Sequence, residues 1–369
     1  MTLKNVQKAP FPWFGGKSLA APLVWELLGD VDHYVEPFAG SLAVLLNRPH
    51  IPNRPNYSET VNDLDGLVVN AWRSIQWHPE ETAEHASWPT SEADLHARNI
   101  AVVNWRANGL AEKLAGSPEF CDTQMAGWWL WGSAISIAGF AASGSWTVGD
   151  DGKILKIDRK VEGWSMQGVP RARPFLSSDG QGINNPNTKE LGIFANDGES
   201  FHKTTMPELV RWFDWLSARL RHVRILNGDW ARAVTGSATK TLKVRMSDGR
   251  TGIFLDPPYA DTAGRASALY SVDDLQVAHV VKRWCAENGN DPDYRIVLAG
   301  FEGEHDDELL ELGWSTYEWF STGYLRGGMG QRKDDGDQQH RERLWASPNC
   351  FTPGDASAQD NQLTMFADE

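Results

Sequence analysis

The chain has 369 residues, enough for a sizeable core and for two modules of roughly 100–200 residues each. Its net charge of −14 and pI near 5.2 exclude whole-surface attraction to nucleic acid, so a DNA partner would have to meet locally concentrated positive charge. Three dispersed cysteines, Cys121, Cys285 and Cys350, give neither a disulfide framework nor metal-ligand spacing, and residues 1–17 lack an apolar signal core, so the expected compartment is the cytoplasm.

In chain order, Trp13-Phe14-Gly15-Gly16-Lys17 precedes a helix with Leu19, Leu23 and Leu27 at helical spacing. A lysine on a Gly-Gly turn at a helix start suits a carboxylate or phosphate, against the default of a solvated side chain. Tyr34-Val35-Glu36-Pro37-Phe38 reads as a strand running into a turn at Gly40, followed by a helix from Leu42. Gly40 permits close backbone approach to a ligand, although a plain strand–helix turn explains it equally well. A second strand ends near Thr60-Val61, with Asn62-Asp63 as the cap of a helix through Trp77. Asp63 follows Gly40 by 23 positions, near the spacing at which an acid reaches a ribose hydroxyl; an N-cap is the rival role. Alternating strands and helices of this kind predict an α/β fold with a parallel sheet.

From about Pro79 the rhythm breaks: a long helical pattern from residue 93 to 114, a tryptophan-rich segment and a stretch dense in Gly, Asn, Pro and Ser. Residues 123–149 carry no charge, but Gly127, Gly132, Gly139 and Gly144 fit a tightly packed buried helix and loop better than a lipid-facing span. Between residues 153 and 173, Lys153, Lys156, Arg159, Lys160, Arg171 and Arg173 face only Asp158 and Glu162, which makes this the candidate phosphate-facing patch. Alternation resumes with a helix burying one face through Leu209, Trp212, Phe213, Leu216 and Leu220, then strands at residues 223–226, 253–255 and 295–298.

Asp256-Pro257-Pro258-Tyr259 stands at the end of the apolar run 252–255, where ligands bind in open α/β sheets. A carboxylate and a neighbouring carbonyl are what an aromatic amine needs to have its N–H bonds held and polarised, and Tyr259 offers a face for an extruded base. The alternative is a stiff Pro-Pro turn with a buried tyrosine. Arg265 lies in a polar loop able to fold over that base and touch a phosphate.

Together these segments resemble the Dam-type DNA adenine methyltransferases, in particular their phage and prophage variants. The resemblance rests on residues 13–17, 34–40, Asn62-Asp63, Asn227-Gly228-Asp229-Trp230 and 256–259, separated by a long insertion. It implies a Rossmann-like S-adenosylmethionine-dependent fold, with residues 1–78 and 205–347 catalytic, 79–204 an inserted target-recognition domain and 348–369 a flexible tail. It also implies donor contacts from Trp13, Gly16, Lys17, Glu36, Pro37, Phe38, Gly40, Asp63, Asp229 and Trp230. Catalysis would fall to Asp256, Pro257, Pro258 and Tyr259, duplex DNA would be the partner, and no metal is implied. One departure is Leu42, where the family often has a second glycine. The same resemblance brings restriction–modification to mind as a setting.

Three other readings share these motifs. Cytosine amino methylation uses the same chemistry, typically with serine in place of Asp256; an RNA adenine methyltransferase and a non-catalytic DNA-binding relative are the others. Attack at a cytosine ring carbon is disfavoured, because none of the three cysteines follows a proline. In the tail, Gln362-Leu363-Thr364-Met365-Phe366 is similar to peptides that dock on the replication sliding clamp.

Overall fold

In the computed structural model, structure is described for residues 7, 9–11, 13, 16–49, 57–89, 91–135, 140, 146–148, 154–156, 201–240, 249–258, 276–319 and 342–353. The chain runs α1 (Ala21–Leu28), β1 (His33–Glu36), α2 (Ala43–Leu46), β2 (Ser58–Asp63), α3 (Gly66–Trp77) and α4 (Pro79–Ala86). After these come α5 (Glu92–Ala107), α6 (Leu110–Gly116), α7 (Thr123–Ile135), the hairpin β3 (Trp146–Val148) and β4 (Ile154–Lys156), and α8 (Phe201–Leu220). The remainder is β5 (Val223–Asn227), a 3-10 turn (Trp230–Val234), α9 (Gly236–Thr239), β6 (Thr251–Leu255), α10 (Val277–Asn288), β7 (Tyr294–Phe301), α11 (Asp306–Leu309), β8 (Ser315–Glu318) and β9 (Glu342–Ala346).

Seven strands form one sheet in the order β5-β2-β1-β6-β7-β9-β8; the first five are parallel, and β9 runs antiparallel to both neighbours. This is a Rossmann-like methyltransferase architecture. The apolar runs of β1, β6 and β7 alternate between two cores, as a strand covered on both faces requires. Tyr34, Phe254, Val297 and Ala299 pack with α1, α3 and α8, whereas Val35, Ile253, Leu255, Ile296 and Leu298 pack with α10 and the 3-10 turn. Strand order reverses between β1 and β6, which opens a crevice at the carboxyl ends of these two strands.

Two local expectations are corrected. The cap of α3 is Asp65, whose side chain accepts from the Leu67 N–H at 3.0 Å; Asp63 is still strand, paired with Asn227 of β5. The long pattern at 93–114 is two helices, α5 and α6, separated at Asn108-Gly109.

The core continues across residue 79. Ala83, Leu95, Val102, Trp129 and Trp131 share it with Val68, Trp72 and Phe213 of α3 and α8. Gly127 is the point of closest approach between α7 and α4: a Cβ there would lie 2.3 Å from the Cβ of His85. The first part of the uncharged segment, Thr123–Ile135, is thus a helix packed on protein, and among the described residues no helix is long and apolar enough to cross a membrane.

Candidate active site

Three strand ends build the crevice. After β1, Pro37 to Gly40 turn back over the end of β2, where the Ala39 N–H donates to the Asn62 carbonyl at 2.8 Å and the Gly40 N–H to Asp63 Oδ2 at 2.8 Å. Gly40 has φ +43° and lies under the Trp13 indole; a Cβ would sit 2.4 Å from its Nε1, so only glycine fits. Two residues on, Leu42 takes φ +53° at the position of the missing second glycine, its side chain wholly buried. A non-glycine residue in this region carries strain of about 1–2 kcal/mol. Burial of a full leucine side chain offsets that strain.

The resulting cavity encloses about 790 Å³ of empty space, its open mouth included. Trp13, Pro37, Phe38, Gly40, Asn62, Asp63, Leu64, Asp65, Gly228, Asp229, Trp230, Asp256, Pro258 and Val277 line it. Phe38 and Trp230 stack on each other in its wall, with ring centroids 5.9 Å apart and planes 23° from parallel. Asp63 is half-buried and also accepts from the Asp65 N–H at 2.8 Å; desolvation, and then the charge of Asp65, push its carboxyl up to about 7.

Asp256 follows the last residue of β6 and meets Lys17, whose Nζ lies 3.0 Å from its Oδ1. Lys17 is 3% exposed and also stands over the Trp319 ring, 5.6 Å from its centroid. Burial opposes the ammonium charge, but Asp256 and Glu342 outweigh it and hold the Lys17 pKa above its ordinary value. Burial likewise raises the Asp256 carboxyl, against the pull of Lys17.

The crevice therefore brings together Trp13, Pro37, Phe38, Gly40, Asp63, Asp229, Trp230, Asp256 and Pro258 from the expected set, with Lys17 immediately behind Asp256. Gly16, Glu36 and Pro257 are not among the lining residues. Glu36 is buried, and its carboxyl accepts from the Tyr34 hydroxyl at 3.0 Å and the Leu45 N–H at 3.2 Å, with burial pushing it up to about 8. Tyr259, Arg265, Lys153, Arg159, Lys160, Arg171, Arg173 and the tail peptide 362–366 lie outside the described residues, while Lys156 ends β4. The sequence reading missed Asn62 and Asp65 as lining residues, and Trp319 and Glu342 beside Lys17. The pairing of Asp63 with Gly40 was signalled by spacing; no local pattern marks Trp319 or Glu342.

Residues 13–95 match the family model of the D12 class N6 adenine-specific DNA methyltransferases. Over these residues the chain is similar to that family. The matched segment contains the turn after β1, the end of β2 and the whole of α3 and α4. No curated protein matches the chain. Enzymes of this family methylate adenine in DNA, generally with S-adenosylmethionine as donor.

Proposed function

We propose that the crevice between β1, β2, β5 and β6 binds S-adenosylmethionine, and that Asp256 receives an adenine turned out of duplex DNA. The observation that carries this reading is the convergence of Asp63, Phe38, Trp230 and Asp256 on one cavity. The residues fit the donor. Asp63 offers a carboxylate to ribose hydroxyls, Phe38 and Trp230 offer flat faces to its adenine, and Gly40 lets the backbone come close. When bound, the donor supplies a methyl group on a positively charged sulfur.

Asp256 and the Pro257 carbonyl are proposed to accept the two hydrogens of the exocyclic amine, drawing electron density toward a nitrogen whose lone pair is otherwise spread into the ring. Lys17 occupies Oδ1 of Asp256, which leaves Oδ2 for the base and fixes the carboxyl rotamer. Pro258 stiffens the turn, and Tyr259 is the proposed stacking face for the base, whose extrusion costs about a few kcal/mol. Residues 1–78 and 205–347 are proposed as the catalytic module, with target recognition in the intervening segment. The helices that share the catalytic core, α4 to α7, serve there as a base from which the basic segment 153–173 reaches phosphates with Arg265. The three free thiols suit a reducing compartment such as the cytoplasm.

The test is transfer of labelled methyl groups from the donor to duplex DNA, followed by nucleoside analysis. N6-methyladenine is the expected product; label on cytosine N4, or in structured RNA in preference to DNA, would overturn the substrate assignment.

A further inference from the structure

Asn62 holds three walls of the crevice at once. Its backbone carbonyl accepts from the Ala39 N–H at 2.8 Å, and its side-chain Nδ2 donates to the Pro37 carbonyl at 3.0 Å and to the Gly228 carbonyl at 2.9 Å. Pro37 belongs to the turn after β1 and Gly228 to the turn after β5, strands that are not neighbours: β2 lies between them. A single amide nitrogen of β2 therefore ties the two turns that carry Phe38 and Trp230, the stacked pair in the cavity wall.

The chemistry of the position excludes most replacements. Two carbonyls converging on one point need a group with two N–H bonds and no charge, and an asparagine amide on a short stem is that group. Aspartate would set carboxylate oxygens against two carbonyl oxygens, and leucine would leave both carbonyls buried without a donor. Asn62 is 1% exposed, yet its Oδ1 has no hydrogen-bond partner among the described residues.

We infer that Asn62 is a positioning residue for the methyl donor, fixing the gap between the turns after β1 and β5 and with it the spacing of Phe38 and Trp230. The inference rests on the proposed donor site and adds the element that sets its width. Asn62 acts on donor affinity through the turns after β1 and β5.

The experiment measures donor binding to Asn62→Ala, Asn62→Ser and Asn62→Asp by calorimetry, with kinetics on duplex DNA and thermal melts alongside. Loss of two positioning hydrogen bonds is expected to weaken donor binding roughly tenfold in the alanine variant. Serine, with one donor, should fall between alanine and wild type, and aspartate should bind least. Donor KM should rise in parallel, while kcat at saturating donor and the KM for DNA stay near wild-type values. Folded variants that bind the donor as wild type does, or that lose kcat with unchanged donor affinity, would overturn the inference. So would unfolding of all three variants at the assay temperature, which would make the residue a determinant of stability alone. If the wild-type protein itself bound no donor, the site assignment would fall instead.

Discussion

The two ends of the sheet treat buried charge in opposite ways. At the amino end, Glu59 is 1% exposed and lies between two guanidinium groups, with Arg48 at 3.0 Å and Arg219 at 2.6 and 3.0 Å. Arg48 also donates to the Val31 carbonyl at 2.6 Å and stands over Trp25, and Arg219 donates to the Leu45 carbonyl at 2.9 Å. These contacts join the starts of β1 and β2 to α2 and α8. At the carboxyl end, four carboxylates line the cavity with no basic residue among the described lining: Asp63, Asp65, Asp229 and Asp256. Asp63 is held by backbone N–H groups, Asp256 by Lys17 from behind, and both carboxyls are raised by burial. Charge at one end is consumed in holding elements together; at the other, Asp65 and Asp229 cap helices while Asp63 and Asp256 are the groups proposed to meet a ligand.

Breaking the amino-end network should have the largest effect. Glu59→Gln leaves two buried guanidinium groups facing a neutral amide and is expected to lower stability by about 3–5 kcal/mol, read as a fall in the urea midpoint. Asp256→Ala should fall chiefly on activity: turnover drops by about a hundred- to thousandfold or more with donor affinity close to wild type, and the melting temperature falls as well because buried Lys17 loses its carboxylate. If the two variants exchanged phenotypes, the contrast between the ends would be wrong.

Leu42→Gly probes the boundary between the two regimes. Relief of about 1–2 kcal/mol of backbone strain competes with loss of a fully buried leucine, which costs about 2–5 kcal/mol even for replacement by alanine. Burial wins, so a net destabilisation of roughly 1–3 kcal/mol is expected; a stabilised glycine variant would mean that strain dominates the donor turn.

The smallest effect is a titration. In the folded protein the Asp63 carboxyl holds its proton up to about pH 7, above its ordinary 3.8, so the free protein loses this contribution to stability as pH rises through that interval. A ribose hydroxyl favours the carboxylate, so donor affinity should fall as pH drops below about 7, roughly tenfold per unit at the steepest. Calorimetry between pH 5.5 and 8.5 (experimental settings of about that range) checks this, and Asp63→Asn should flatten the profile. A wild-type profile that is already flat would remove Asp63 from the donor contacts.

Much of this arrangement was legible in the residues, and what was not has physical reasons. Apolar runs announced β1, β6 and β7 because strands covered on both faces are continuously hydrophobic, and the Asp256 motif could be placed because it ends such a run. Edge strand β8, mostly exposed, carries no such signal. Asp63 was readable as either cap or ligand group; pairing with β5 through Asn227, a contact across the insertion, decided that it stays in the strand. The Lys17–Asp256 pair joins a loop before α1 to the end of β6, and no local pattern links positions so far apart. Asn62 was quoted only as part of a motif, since its two acceptors are backbone carbonyls that leave no trace in side-chain identity.

The position of β1 also shapes how this chain comes into being. One of its edges is covered by β2 soon after synthesis, but the other waits for β6, more than two hundred residues downstream. At ordinary translation speeds that wait lasts roughly 10 to 40 s. Throughout it one edge of β1 presents open hydrogen-bonding groups, a site for pairing with neighbouring nascent chains.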